Sequence, residues 1–188
     1  MSNIEILAIS GSLRARSSNT EVLRAAAILA PAVPAPAPVR VSLYQGLAEL
    51  PHFNPDLDGE GAILPAPVAG FRRQVAAADA ILICSPEYAH GVPGTLKNAL
   101  DWLVSGPEIP YKPIGLLAAS SRALHAQASL AETLRTMSTV LVPGSSLTVP
   151  LDGRRLDAAG IAGDPELAAL LRSALESLIR GVDSDRRL

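Results

Sequence analysis

Short, almost wholly apolar runs alternate with stretches of helical period along this chain, and that alternation limits its architecture more than any other feature. The runs are Ile4–Ser10, Val39–Leu43, Ala80–Cys84 and residues 114–119. Each is too short for a core helix, and all but the alternating Val39–Leu43 lack polar alternation, as expected of strands covered on both faces. A last strand is expected within 140–150, where Pro143-Gly144 interrupts the run.

The intervening helices are signalled by spacing. One starts near Asn19, aligns Val22, Ala25, Ala26 and Leu29, and stops at Pro31. Others carry Val68, Phe71 and Val75, then residues 95–104, then Leu130, Leu134 and Met137. The final helix has Asp164 as N-cap, Pro165 in its first turn, a buried stripe through Leu167, Leu170, Leu171, Ala174 and Leu178, and Gly181 as terminator. The prolines of 31–38 read as a stiff connection, and 44–67 as a long loop of functional character. Five β-α repeats predict an α/β fold in three layers: a doubly wound, five-stranded parallel sheet with helices on both faces. Residues 1–182 are expected to form one domain and 183–188 a frayed tail. Periodicity does not separate strand order 2-1-3-4-5 from the dinucleotide-binding order. The loops do.

Composition narrows the partners. With 188 residues the chain has the size of one domain, enough to bury roughly 70% of its unfolded surface. Its 16 basic and 18 acidic side chains leave a net charge of −2, without the basic stripe that nucleic acid or an anionic membrane requires. One cysteine, Cys84, excludes an internal disulfide and fits a reducing cytoplasm. Neither a signal peptide nor a membrane span is expected.

The first strand runs into Ser10-Gly11-Ser12-Leu13-Arg14-Ala15-Arg16-Ser17-Ser18-Asn19-Thr20. Hydroxyls, an amide, two guanidinium groups and free helix N-terminal amides make this an anion cradle. The helix dipole contributes only about 0.3–1 kcal/mol. Each hydrogen bond to a charged group contributes about 1.5–3 kcal/mol, so the donor cluster dominates. The G-x-G-x-x-G pattern fails because Leu13 and Arg16 stand at its later glycines, and Ala15-Arg16-Ser17 does not end a P-loop.

The third strand runs into Ser85-Pro86-Glu87-Tyr88, then Gly91-Val92-Pro93-Gly94-Thr95-Leu96-Lys97-Asn98-Ala99-Leu100-Asp101-Trp102. This stiff loop at a strand's carboxyl end suits a flat, polar-edged ligand. Gly11-Ser12-Leu13-Arg14 with Ser17 and Asn19, together with this second motif, resembles the NADPH-dependent FMN reductase family. The resemblance extends from Ile4 to about Val142. It implies a flavodoxin-like fold of order 2-1-3-4-5, with FMN as cofactor and NADPH or NADH as co-substrate. It also implies a quinone-like or other small electron acceptor, and a homodimer or homotetramer.

By position, the family pattern places Ser12, Arg14, Ser17, Ser18, Asn19 and Thr20 around the FMN phosphate. Pro86, Glu87 and Tyr88 would hold the ring edge and ribityl chain, and Ser120, Ser121 and Arg122 the pyrimidine edge. Ala89 replaces the family's usual asparagine, and His90 either compensates for it or faces the substrate. No residue is assigned a catalytic role, because flavin N5 carries the chemistry. The competing reading is a non-enzymatic FMN-binding electron carrier or regulator; a third is a phospho-ligand module that takes no flavin. Three further expectations follow. Cys84 acts as a small hydrophobe, His52, His90 and His125 lack metal-ligand spacing, and Phe53 reaches a substrate cleft from a mobile loop. The apolar face of helix 95–104 is expected at a subunit interface.

Overall fold

The computed structural model describes residues 3–59 and 61–185. Strands β1 (Ile4–Ser10), β2 (Val39–Leu43), β3 (Ala80–Cys84), β4 (Pro113–Ala118), β5 (Val140–Leu141) and β6 (Leu147–Thr148) form one sheet. Its order is β2-β1-β3-β4-β5, with β6 also on β4, and every ladder is parallel. The helices are α1 (Ser18–Leu29), α2 (Ala66–Ala77), α3 (Gly94–Asp101), α4 (Leu124–Thr136), α5 (Ala158–Gly163) and α6 (Pro165–Asp185). This is the flavodoxin-like order 2-1-3-4-5.

Successive strand side chains point to opposite faces, so the apolar runs feed two cores. Ile4, Ile6 and Ala8 of β1, with Ala80, Leu82 and Cys84 of β3, pack under α1, α5 and α6. Leu7, Ile9, Ile81 and Ile83 pack on the other face against Val68, Phe71 and Val75 of α2, Leu96 and Leu100 of α3, and Leu130 and Leu134 of α4. Every residue of β3 and β4 is buried. Helices on both faces explain why these strands carry no polar alternation.

Several expectations need correction. The last strand is two short pieces: the turn through Pro143-Gly144, with Gly144 at φ +81°, breaks it. Side chains repair the gap, since Leu116 N–H donates to Ser146 Oγ at 3.2 Å and Ser145 Oγ–H to the Val142 carbonyl at 2.8 Å. Short α5, capped by Asp157 on Gly160 N–H, had no strong periodic signal. Asp164 caps α6 as expected, accepting from Glu166 and Leu167 N–H, but Gly181 does not end it. That glycine lies against Val142, where a Cβ would come within 2.6 Å of Cγ2, so its role is close packing within a continuing helix. The helix continues through 183–185, which were expected to fray; 186–188 lie outside the described residues.

Helix α3 is shorter than expected and gives way to tight turns through Trp102–Val104. Its apolar residues Leu96, Ala99 and Leu100 are buried in the chain's own core, as is Trp102. That face is therefore unavailable to a second subunit. The long loop is also more ordered than expected: Leu47–Glu49 and Pro55–Leu57 form 3-10 turns, and Tyr44, Leu47 and Leu50 are buried.

Candidate functional site

The loops after β1, β3, β4 and β6 meet at the carboxyl edge of the sheet, where doubly wound folds bind ligands. They enclose a cleft of about 710 Å³. Its wall brings together Ser18 and Asn19 from the start of α1, Pro86, Glu87 and His90 after β3, and Ser120 and Arg122 after β4. The loop after β6 adds Asp152, Arg154 and Arg155.

Gly11 makes the convergence of the first two loops possible. Its N–H donates to the Cys84 carbonyl at 2.9 Å, and a Cβ there would fall 2.5 Å from Ser85 Oγ. Any larger residue would push the β1 loop off the β3 loop.

The first loop divides its hydroxyls between structure and cleft. Ser17 is buried and caps α1 by accepting from Thr20 N–H at 3.5 Å. Thr20 Oγ1 and Ser10 Oγ are paired at 2.8 Å, and Ser12 Oγ accepts from Arg14 N–H at 3.3 Å. Ser12, Arg14, Ser17 and Thr20 do not line the cleft, whereas exposed Ser18 does. Asn19, nearly buried, accepts from the Cys84 thiol at 3.3 Å. Burial pushes that thiol's pKa well up, so Cys84 remains a protonated small hydrophobe, as its position at the end of a covered strand suggested.

After β3 the chain turns sharply. Tyr88 and Gly91 exchange hydrogen bonds of 3.2 and 2.9 Å, with Ala89 at φ +49° and His90 at φ +58° between them. Two successive left-handed residues closing a four-residue turn are the geometry of a type I′ turn. Tyr88 and Ala89 point to solvent and stay off the cleft wall, while His90 joins it. The Glu87 carboxylate accepts from Ala126 N–H at 2.9 Å in the first turn of α4, where the helix dipole favours an anion. Glu87 thereby ties the β3 loop to α4.

Asp152 ties the β4 loop to the β6 loop. Its carboxylate accepts from Ser120 Oγ–H, and from Ser121 N–H and Oγ–H at 3.0 Å each. The Ser120 bond first, and then the Ser121 bonds, hold its pKa below the ordinary carboxylate value; Arg122 Nε lies 3.7 Å away. Ser121 is spent on this contact and does not line the cleft. Asp152, Arg154 and Arg155 were missed because the split last strand hid where its carboxyl end lies. The strand-end rule applied to β6 would have found them.

Phe53 does not reach the cleft. Its N–H donates to Asn98 Oδ1 at 2.7 Å and its ring stands edge-on to Trp102, with centroids 5.0 Å apart. Asn98 Nδ2 and Trp102 Nε1 both donate to the Pro51 carbonyl, at 2.9 and 2.8 Å. The loop is clamped onto α3. The histidines also differ from expectation: His90 and His125 stack at 4.3 Å, and Glu87 joins them. Linear spacing could not reveal a pair carried by two elements.

The donor set fits FMN: helix N-terminal amides beside Ser18, Pro86 and Glu87 on the facing loop, and the cationic Arg122. A flavodoxin-like sheet with such a cleft is one on which flavin-binding oxidoreductases are built, and comparison specifies the class. The model of the NADPH-dependent FMN reductase family matches residues 4–153. The chain is 33% identical over 181 residues to an NAD(P)H-dependent FMN reductase of Pseudomonas aeruginosa, covering 94% of each. It is 30% identical to a 2-hydroxy-1,4-benzoquinone reductase of Burkholderia sp., covering 98% of this chain and 99% of that one. The structure of FerB, a flavoenzyme NAD(P)H:(acceptor) oxidoreductase from Paracoccus denitrificans, superposes with a TM-score of 0.74 at 25% identity, covering 96% and 97%. The chain belongs to the NADPH-dependent FMN reductase family and is an FMN-dependent NAD(P)H oxidoreductase.

Proposed function

We propose that this enzyme passes the electrons of NAD(P)H to a quinone or similarly flat, polar-edged acceptor, and that the cleft described above is where it does so. The observation that carries this reading is the convergence of Ser18 and Asn19, Pro86 and Glu87, and Ser120 and Arg122 on one cleft. The quinone reductase among the relatives supports the choice of acceptor.

When bound, FMN supplies the hydride chemistry at its N5 atom. The chain's part is to bind and tune. The free amides at the start of α1, with Ser18, hold the phosphate, while Arg14, exposed on the same loop, adds long-range charge. The backbone of Pro86 and Glu87 holds the ring edge, and Tyr88 and His90 shape the approach of the acceptor. Arg122, an exposed cation 3.7 Å from Asp152, would lie near the pyrimidine edge, where positive charge stabilises the negative charge that reduction places there. Glu87 needs no proton role, because hydride transfer to flavin N5 needs none from the protein; one of its carboxylate oxygens is held at α4.

The working form is a homodimer or homotetramer. Leu13 on the loop after β1, Tyr88 on the loop after β3 and Leu124 at the start of α4 are exposed apolar side chains available for an interface. Among the described residues no helix is long and apolar enough to cross a membrane. The lone, buried Cys84 suits a reducing cytoplasm.

The test is FMN titration followed by NADPH oxidation with and without a quinone, on wild type and Arg122→Ala. Wild type binds FMN, and NADPH oxidation accelerates when quinone is added. The variant retains FMN and loses roughly tenfold in turnover, less than the about 100–1,000-fold of a preorganised, water-excluded donor because Arg122 is exposed. NADPH oxidation that quinone does not accelerate rejects the acceptor assignment, and Arg122→Ala at wild-type rate removes Arg122 from the site.

A further inference from the structure

We propose that Glu87, His90 and His125 form a binding site for a divalent transition-metal cation of the zinc type, at the rim of the cleft. One ligand atom from each side chain lies within 4.8 Å of the other two. Among the described residues no second group of three such side chains meets this condition. Ligands of a tetrahedral ion bound at about 2.0–2.2 Å stand roughly 3.4 Å apart. The remaining gap closes by side-chain rotation, which no packing opposes at exposed His90 and His125.

Each component has the support a metal site needs. Glu87 is oriented by Ala126 N–H at 2.9 Å on one oxygen, leaving the other for the ion. His90 is aimed from the tight turn in which it and Ala89 both adopt left-handed conformations. Strain of this kind in a non-glycine turn is held by the surrounding structure and clusters at ligand-binding positions. His125 comes from the first turn of α4, the helix that also orients Glu87. The imidazole rings stack 4.3 Å apart and 17° from parallel, with a ligand nitrogen of each within 4.8 Å of the other; because ring lone pairs lie in the ring planes, the two exposed rings swing out of the stack to converge on one ion.

The ligand chemistry selects the ion. Two imidazoles and one carboxylate suit Zn²⁺ or Ni²⁺, whereas Mg²⁺ demands an octahedral, all-oxygen set. Three protein ligands leave a further position for water or for an oxygen of the acceptor. Because His90 also lines the cleft, a bound ion stands at its mouth and pins the Tyr88–Gly91 turn to α4.

The experiment uses the full chain, free of any tag and stripped with chelator, titrated calorimetrically with Zn²⁺ in the presence of excess Mg²⁺. One Zn²⁺ binds per chain, and X-ray absorption at the zinc edge reads two imidazole nitrogens and a carboxylate oxygen. His90→Ala and His125→Ala each weaken binding by more than about 100-fold, beyond the 10–100-fold that loss of a supporting contact costs. His52→Ala leaves binding unchanged, it and His125→Ala keep the wild-type unfolding temperature, and His90→Ala, which places alanine at φ +58°, lowers it by roughly 2–4 °C without unfolding the chain. Absence of saturable binding overturns the proposal, as does wild-type affinity in either His90→Ala or His125→Ala. The readout needs neither FMN nor acceptor, so its failure is separable from a failure of the functional reading.

Discussion

Position 89 explains a residue preference that a contact argument alone misreads. The family's usual asparagine there suggests a lost side-chain contact to flavin, yet Ala89 points to solvent and lies off the cleft wall. What the position demands is backbone conformation: φ is +49°, a region that asparagine and glycine enter readily and alanine does not. Left-handed backbone costs an alanine about 1–2 kcal/mol, while glycine's extra unfolded-state freedom gives back about 0.4–1 kcal/mol. Ala89→Gly is therefore expected to stabilise the chain by about 1 kcal/mol, raising Tm by roughly 2–4 °C for a protein of this size. Thermal unfolding checks it, and a lowered Tm would mean that the turn is unstrained in solution. His90, next to it, belongs to a residue type enriched in this region, so the turn's strain rests mainly on Ala89.

At the scale of elements, Asn98 and Trp102 do mechanical work for the loop after β2. Both side chains converge on the Pro51 carbonyl, and Asn98 also accepts from Phe53 N–H. They lie one helical turn apart at the end of α3, so they present to the same stretch of loop. Arg72 of α2 reinforces the arrangement, donating to the Trp102 carbonyl and pairing with Asp58 at 2.7 Å. Asn98→Ala removes two hydrogen bonds and leaves Phe53 N–H without its partner, a loss of about 1–3 kcal/mol. Hydrogen exchange should quicken at residues 52–54 while the β3 and β4 amides stay protected. Uniform loss of protection would show instead that the loop is integral to the global fold. In the sequence, Asn98 and Trp102 belong to the motif that carries the family resemblance, with Trp102 expected in the core or at a subunit interface; the fold buries Trp102 and uses both to secure a neighbouring segment.

For the molecule as a whole, two cores share one sheet and four loops share one edge of it. Ligand binding at that edge stabilises the entire chain, because the loops it joins hang from β1, β3, β4 and β6 alike. FMN at 100 times its dissociation constant should add about 2.7 kcal/mol to the stability, roughly 5–10 °C in Tm for a chain of this size. Unfolding scans with and without FMN measure this, and a Tm indifferent to saturating FMN would show that the folded chain does not bind it.

Sequence by itself determined the strands, their buried character, most helix positions and the two loops that anchor the cleft. Strong periodicity, proline and glycine punctuation, and a strand-end motif are local signals, and local physics sets them. Tertiary structure alone decided which of Ser12, Arg14, Ser17 and Thr20 turn inward to cap or pair, because hydroxyls serve a helix end and a ligand equally well until the neighbours are known. It also decided that α3 spends its apolar face inside the chain, that Asp152 closes the site from the far strand, and that Glu87, His90 and His125 meet. Each of these joins residues carried by separate elements, and no spacing along the chain encodes a distance across the edge of a sheet.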